Sequence, residues 1–219
     1  MTVGRRPLDL SLYLVTDSRL CGFLGVPATV AAAVGAGASA VQLRDPGSPD
    51  DDLVSLGRAV VRELAGSGVP VLVNDRVDLV AAIGADGAHV GQGDLDVASA
   101  RRALGPEAYL GLSVQSLEHV TAARRVGLEL DYLGVGPVWP QVTKPDAGEP
   151  SGLDRLRGIV AASPWPCVAI GGIGPGRVRP VRVAGAAGVA VVSAICGQPD
   201  PAAATRALRA EWDGAVDVA

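Results

Sequence analysis

Three short segments of this 219-residue chain hold side chains suited to polyanion chemistry. "VLVNDRVDLV" carries Asn74 and Asp75, "GAHVGQGDLD" carries Asp94, and "GVGPVWPQVTKPD" carries Thr143 and Lys144. Two carboxylates converging on one point suit Mg²⁺, which keeps several waters and shares substrate phosphates. The competing use of each aspartate is a helix N-cap, because both precede expected helices. Lys144 is the only lysine among 19 basic side chains, and the rest are arginines. An arginine fork and a lysine point charge hold a polyanion in complementary ways, so Arg44, Asn74 and Lys144 are candidates to surround one. Their structural alternatives are an ion pair of Arg44 with Asp45 or Asp75 and a merely exposed loop position for Lys144.

Eight short apolar segments must position these groups: "LYLVTD" (12–17), "AVQLRD" (40–45), "VPVLVND" (69–75), "GAHVGQ" (87–92), "YLGLSV" (109–114), "YLGVGP" (132–137), "PCVAIGG" (166–172) and "GVAVVSA" (188–194). They are nearly continuous in hydrophobicity, as parallel strands buried on both faces are. Helical periodicity separates most of them. In 49–65, Leu53, Leu56, Val60 and Leu64 share a face, with Ser48 as expected N-cap, Pro49 at the first helical position, and Asp50 and Asp51 at the positive helix end. "GAGASAVQLR", "GADGAHVGQ" and "GAAGVAVVSA" echo one another, each a glycine-alanine ending before a strand. The pattern predicts a single-domain (β/α)8 barrel over 1–219, with 1–11 and 213–219 as flexible ends. A doubly wound sheet is the competitor, and no G-x-G-x-x-G follows the first strand to support its dinucleotide-binding form.

In a barrel the active site lies at the C-terminal strand ends, and the polar residues gather there. Gln42 and Arg44 end the second strand, and Asn74 and Asp75 the third. The fourth carries His89 and leads to Gln92 and Asp94. Ser113 is near the end of the fifth, Thr143 and Lys144 follow the sixth, and the eighth carries Ser193. Gly171, Gly172 and Gly188, beside strands seven and eight, suit either a backbone N–H phosphate site or tight turns. His89 reads as a buried, hydrogen-bonded imidazole and His119 as a surface residue. Trp139 reads as core or as a wall over a flat substrate ring. The long connection after strand six, 138–150, reads as a lid.

Bulk composition narrows the partners. A net charge of −4, aromatics at 3% and no basic run longer than two residues argue against nucleic acid. No apolar run reaches the roughly 18 residues of a membrane span, and the N-terminus lacks a signal-peptide core. Cys21, Cys167 and Cys196 have no metal or redox spacing and read as buried, reduced thiols of a cytoplasmic protein. Small-molecule substrates are expected, and composition leaves the number of subunits open.

Together, "YLVTD", "VQLRD", "VNDRVDLV", "ADGAHVGQGDL", "GLSVQS", "DYLGVGPVWPQVTKPDA", "VAIGGI" and "GVAVVSAI" resemble the thiamine-phosphate synthase family over about residues 12–197. The resemblance implies a (β/α)8 barrel and a transferase of thiamine biosynthesis. Such an enzyme joins hydroxymethylpyrimidine pyrophosphate to hydroxyethylthiazole phosphate and releases pyrophosphate. It implies Mg²⁺ on Asp75 and Asp94, and the pyrimidine diphosphate on Gln42, Arg44, Asn74 and Lys144. It places Ser113 beside the pyrophosphate, and Thr143, Gly172 and Ser193 at the thiazole phosphate. Arg44, Ser113 and Lys144 are the implied catalytic groups. The chain departs from the family pattern at Pro46, usually lysine, and at Gln141, usually threonine. The alternatives are a thiazole tautomerase paralogue, a Schiff-base aldolase acting through Lys144, and a non-catalytic phosphate-ligand binder.

Overall fold

The computed structural model describes residues 7–125, 130–144 and 148–214. Its strands are β1 (Leu12–Val15), β2 (Ala40–Leu43), β3 (Val71–Asn74), β4 (Gly87–Val90), β5 (Tyr109–Val114), β6 (Tyr132–Val135), β7 (Cys167–Ile170) and β8 (Gly188–Val191). All pair in parallel in chain order, and β8 returns to β1, so the sheet closes into a barrel. A principal helix follows each strand: α1 (Val26–Gly35), α2 (Asp50–Glu63), α3 (Val80–Ile83), α4 (Val97–Leu104), α5 (Leu117–Arg125), α6 (Gly152–Ala162), α7 (Val178–Val183) and α8 (Pro201–Asp213). The expected (β/α)8 barrel forms, and the doubly wound sheet does not.

The uninterrupted apolar strands have a direct cause. Successive side chains point to opposite faces, and in a barrel wrapped by helices both faces are dry. Leu12 and Leu14 of β1 join the outer core between strands and helices. Tyr13 and Val15 turn inward beside Ala40, Leu72, Tyr132, Val168 and Ala190. Each large aliphatic side chain buried this way contributes about 1.5–3 kcal/mol.

Helix α2 begins with Asp50, Asp51 and Asp52 in its first turn and buries Leu53 and Val60, as the periodicity predicts. Leu64, just past its end, is also buried, while Leu56 is half-buried. The expected Ser48 cap does not form. Pro49 occupies the capping position without a side-chain bond, because the Ser48 hydroxyl donates to Asp45 Oδ2 at 2.7 Å instead.

Of the expected flexible ends, residues 1–6 and 215–219 lie outside the described residues. Leu10 and Ser11 are buried at the foot of the barrel, where the Ser11 carbonyl accepts from the Val189 N–H at 3.3 Å. Asp213 completes α8 and pairs with Arg209 at 2.8 Å. Gly188 sits at that foot too, where a Cβ would stand 1.6 Å from the Leu10 carbonyl oxygen. It is at the opposite end from the strand termini that face a ligand, so the phosphate-site reading of Gly188 is corrected: its glycine serves packing.

Candidate active site

The C-terminal end of the barrel opens into a cavity of about 680 Å³, within the usual range for small-molecule sites. Gln42, Arg44, Asn74 and Ser113 line it from the strand ends of one half. Thr143, Lys144, Gly172 and Ser193 line it from the other half. These eight residues come from six different segments, and closure of the barrel brings them to one chamber. Ser193 lies two residues beyond β8 rather than within it. Its carbonyl is held by Gln198 Nε2 at 2.8 Å.

Asp75 and Asp94 stand at the rim, beside the lining residues Asn74 and Gly91. Neither caps a helix through its side chain. The cap of α4 is Asp96, whose Oδ1 accepts from the Ser99 N–H at 3.0 Å. Asp94 instead accepts from the Gly91 N–H at 2.7 Å and closes its own loop. Asp75 has φ 61°, the one left-handed non-glycine among the described residues. Aspartate tolerates that region better than most residues, at a cost of order 1 kcal/mol. Burial first, and then the adjoining Asp94 carboxylate, push the Asp75 carboxyl up to about 6. The Lys144 ammonium and the Asn74 amide, which donates to Asp75 Oδ2 at 2.6 Å, pull it the other way. Two carboxylates crowded without a helix to stabilise them could hold a cation.

Arg44 is held by its backbone: its N–H donates to Thr16 Oγ1 at 2.9 Å, and the Thr16 hydroxyl returns to its carbonyl at 3.2 Å. Among the described residues its guanidinium forms no ion pair, so the structural alternative with Asp45 or Asp75 is not realised. Arg44 lines the chamber, where a fork without an ion pair could hold an anion.

The connection from β6 to α6 spans 136–151, and residues 145–147 of the expected lid lie outside the described residues. Its root is clamped to β7: the Val138 N–H donates to the Ile170 carbonyl at 2.9 Å and the Trp139 N–H to the Gly171 carbonyl at 3.1 Å. This contact is what requires two glycines. A Cβ on Gly171 would lie 2.5 Å from Pro137 Cβ, and one on Gly172 2.5 Å from the Pro140 carbonyl oxygen. Farther along, Gln141 wraps the chain ahead of it. Its Oε1 accepts from Thr143 Oγ1 at 3.0 Å and from the Lys144 N–H at 2.8 Å, and its Nε2 donates to the Lys144 carbonyl. The departure at Gln141 thus shapes the loop that presents Lys144. Lys144 itself is exposed, unlike the desolvated lysines of Schiff-base enzymes.

Inside the barrel a hydrogen-bonded chain crosses the floor of the chamber. Gln42 Nε2 donates to the Tyr13 hydroxyl at 3.2 Å, which meets the Tyr132 hydroxyl at 2.9 Å. Tyr132 meets His89 Nδ1 at 2.8 Å, and His89 Nε2 meets Ser113 Oγ at 2.8 Å. Burial pushes the Tyr13 phenol up to about 12 and holds His89 down at about 4, with Lys144 adding to the second effect. The imidazole is therefore neutral near pH 7, buried and fully partnered, as expected from its position in β4.

Tyr13 and Tyr132 are functional candidates that sequence reasoning missed. Two tyrosines in otherwise aliphatic strands were the available signal, because a buried phenol needs a partner. Arg177 was also missed in an arginine-rich chain. It lines the chamber, donates to the Gly172 carbonyl at 2.6 Å and stacks 5.1 Å from the Trp139 ring centre. Trp139 packs against the outer core under that cation and does not line the chamber, so its reading as a substrate wall is corrected. His119 is half-buried rather than on the surface, and its Nδ1 accepts from the Gln115 N–H at 3.3 Å.

Known proteins resemble this chain over nearly its whole length. The thiamine monophosphate synthase family model matches residues 12–195. A thiamine-phosphate synthase of Azorhizobium caulinodans is 46% identical over 203 residues, covering 93% of this chain and 95% of that protein. One from Xanthobacter autotrophicus is 48% identical over 205 residues, covering 94% and 96%. The solved thiamine phosphate pyrophosphorylase of Pyrococcus furiosus superposes with a TM-score of 0.84 at 35% identity, over 94% of this chain and 97% of that one. The family model spans the barrel from β1 to just past β8, and this chain belongs to the thiamine monophosphate synthase family.

Proposed function

We propose that this protein is a thiamine-phosphate synthase, joining hydroxymethylpyrimidine pyrophosphate to hydroxyethylthiazole phosphate. In that reaction the pyrimidine methylene C–O bond breaks and its electron pair leaves on pyrophosphate. The thiazole nitrogen then forms the new C–N bond. The observation that carries this reading is the rim of the chamber. Asp75 and Asp94 meet there without capping a helix, within electrostatic reach of Lys144, and Arg44 lines the same chamber.

A step that builds charge on a leaving group calls for placed cations and exclusion of water more than for a general base. Arg44 and Lys144 hold the diphosphate from two sides, and Ser113 donates to it from the floor. Thr143, Gly172 and Ser193 face the thiazole phosphate across the chamber. The loop bearing Thr143 and Lys144 shields the reacting carbon from water. Asp75 and Asp94 fit Mg²⁺, because carboxylate oxygens are the hard donors that ion takes and the two adjoin at the rim. Two carboxylates leave room for water and diphosphate oxygens around such an ion. When bound there, Mg²⁺ neutralises charge developing on the leaving diphosphate. The direct test supplies both substrates with Mg²⁺ and measures pyrophosphate and thiamine phosphate. Equimolar formation is expected. No pyrophosphate, together with isomerisation of a thiazole carboxylate phosphate, would select the tautomerase instead.

Pro46 offers a second handle on the diphosphate. It is exposed in the turn between β2 and α2, two residues beyond Arg44. Proline carries no charge and no N–H, so Pro46→Lys adds a cation without removing a hydrogen bond. A charge-assisted contact corresponds to roughly tenfold or more in affinity. Pro46→Lys is expected to lower KM for the pyrimidine diphosphate by about that factor, less as salt rises. An unchanged KM in a variant of normal melting temperature shows that another cation already occupies the place.

A further inference from the structure

We infer that Tyr13, Tyr132 and His89 act as positioning residues that lock the Gln42 amide and the Ser113 hydroxyl into one fixed donor–acceptor direction across the barrel floor. The inference deepens the synthase reading and rests on it for the identity of the ligand.

Directionality follows from counting protons. Gln42 Nε2 donates to the Tyr13 oxygen, so the Tyr13 hydroxyl proton is free to go to Tyr132. The Tyr132 proton then goes to His89 Nδ1, which must be the bare nitrogen of a neutral ring. The ring proton is on Nε2 and is donated to Ser113 Oγ. That leaves the Ser113 proton as the one hydroxyl or ring proton of this chain of bonds without an acceptor among the described residues. It is available to an acceptor in the chamber, which Ser113 lines. Reversing the chain would spend the Ser113 proton on His89 and turn its lone pairs toward a diphosphate, an unfavourable pairing. The same ordering keeps Gln42 Oε1 and its second N–H free for the ligand.

The chain is a built feature. Gln42, Tyr13, Tyr132 and His89 are all buried. Two glycines make room for the rings. A Cβ on Gly111 would stand 2.2 Å from Tyr132 Cζ and 2.5 Å from His89 Nδ1, and one on Gly134 2.9 Å from His89 Cε1. Tyr13 and Tyr132 meet edge-on with centroids 5.8 Å apart, and His89 and Tyr132 lie 5.4 Å apart. Three inward rings therefore brace one another from β1, β4 and β6.

The test begins with the wild-type protein. Nitrogen-15 NMR of the imidazoles, with the His89 signals assigned by their loss in His89→Asn, is expected to show the Nε2–H tautomer. The Nδ1–H tautomer overturns the inference whatever the variants do. Tyr132→Phe and Tyr13→Phe are each expected to raise KM for the pyrimidine diphosphate about tenfold, the scale of a lost hydrogen bond. KM for the thiazole phosphate should stay within about twofold, which a general loss of structure would not spare. Unchanged pyrimidine KM in both folded variants overturns the positioning role. If the wild type releases no pyrophosphate, the synthase reading fails, while the tautomer measurement still decides the direction of the chain.

Discussion

Asp75→Asn is expected to lower turnover at least about a hundredfold, the loss associated with leaving charge unstabilised at the reacting centre. The amide keeps the size of the carboxylate, and asparagine tolerates the left-handed backbone at φ 61° as aspartate does. The fold should therefore survive while the cation site is lost. Steady-state pyrophosphate release checks this, and wild-type turnover that persists in excess chelator would remove the metal assignment. Burial of Asp75, and then repulsion from the adjoining Asp94 carboxylate, also set a pH signature. The Asp75 carboxyl is pushed up to about 6 from an ordinary 3.8. Between those values the folded protein holds a proton that the unfolded chain has released. This group's contribution to stability therefore falls as pH rises from 3.8 to about 6, and its full destabilisation is present above that. A cation between the carboxylates offsets that repulsion. Mg²⁺ should raise the melting temperature more at pH 7.5 than at pH 5, and an equal or reversed shift contradicts the site.

Lys144→Ala is expected to lower turnover about ten- to a hundredfold while leaving KM for the thiazole phosphate nearly unchanged. The size follows from one charge-assisted contact made mainly as charge develops. The loop should keep its form, because Gln141 holds residue 144 through its backbone N–H and carbonyl, which alanine retains. Lys144→Arg should recover only part of the rate, since a planar fork replaces a compact point charge. Single-turnover measurements separate this from slow product release. Unchanged kinetics in the alanine variant would leave Lys144 as an ordinary exposed residue.

Much of this molecule is legible in its sequence. Eight apolar runs without alternation require strands covered on both faces, and strands of that kind joined by helices close into a barrel. Polar residues at the ends of those runs then have one place to gather, which is why Gln42, Arg44, Asn74 and Ser113 could be named together. Capping was harder to read. Asp94 and Asp96 sit two residues apart in one loop, and the sequence does not show which of them reaches the free N–H groups of α4. The backbone path makes Asp96 the cap and turns Asp94 toward Asp75.

Local sequence also determined the glycine pair after β7 without revealing its reason. Gly171 and Gly172 were equally compatible with a phosphate site and with a tight turn. The reason lies in a segment some thirty residues earlier, where Pro137 and Pro140 press against them. The barrel floor was the least accessible feature. Gln42, Tyr13, Tyr132, His89 and Ser113 come from five strands, and nothing in their spacing links them. Sequence order sets which face of its own strand a side chain occupies, because that depends on a two-residue period. Which side chains then meet depends on the stagger between strands and on the two glycines that admit the rings, and only the closed barrel decides that.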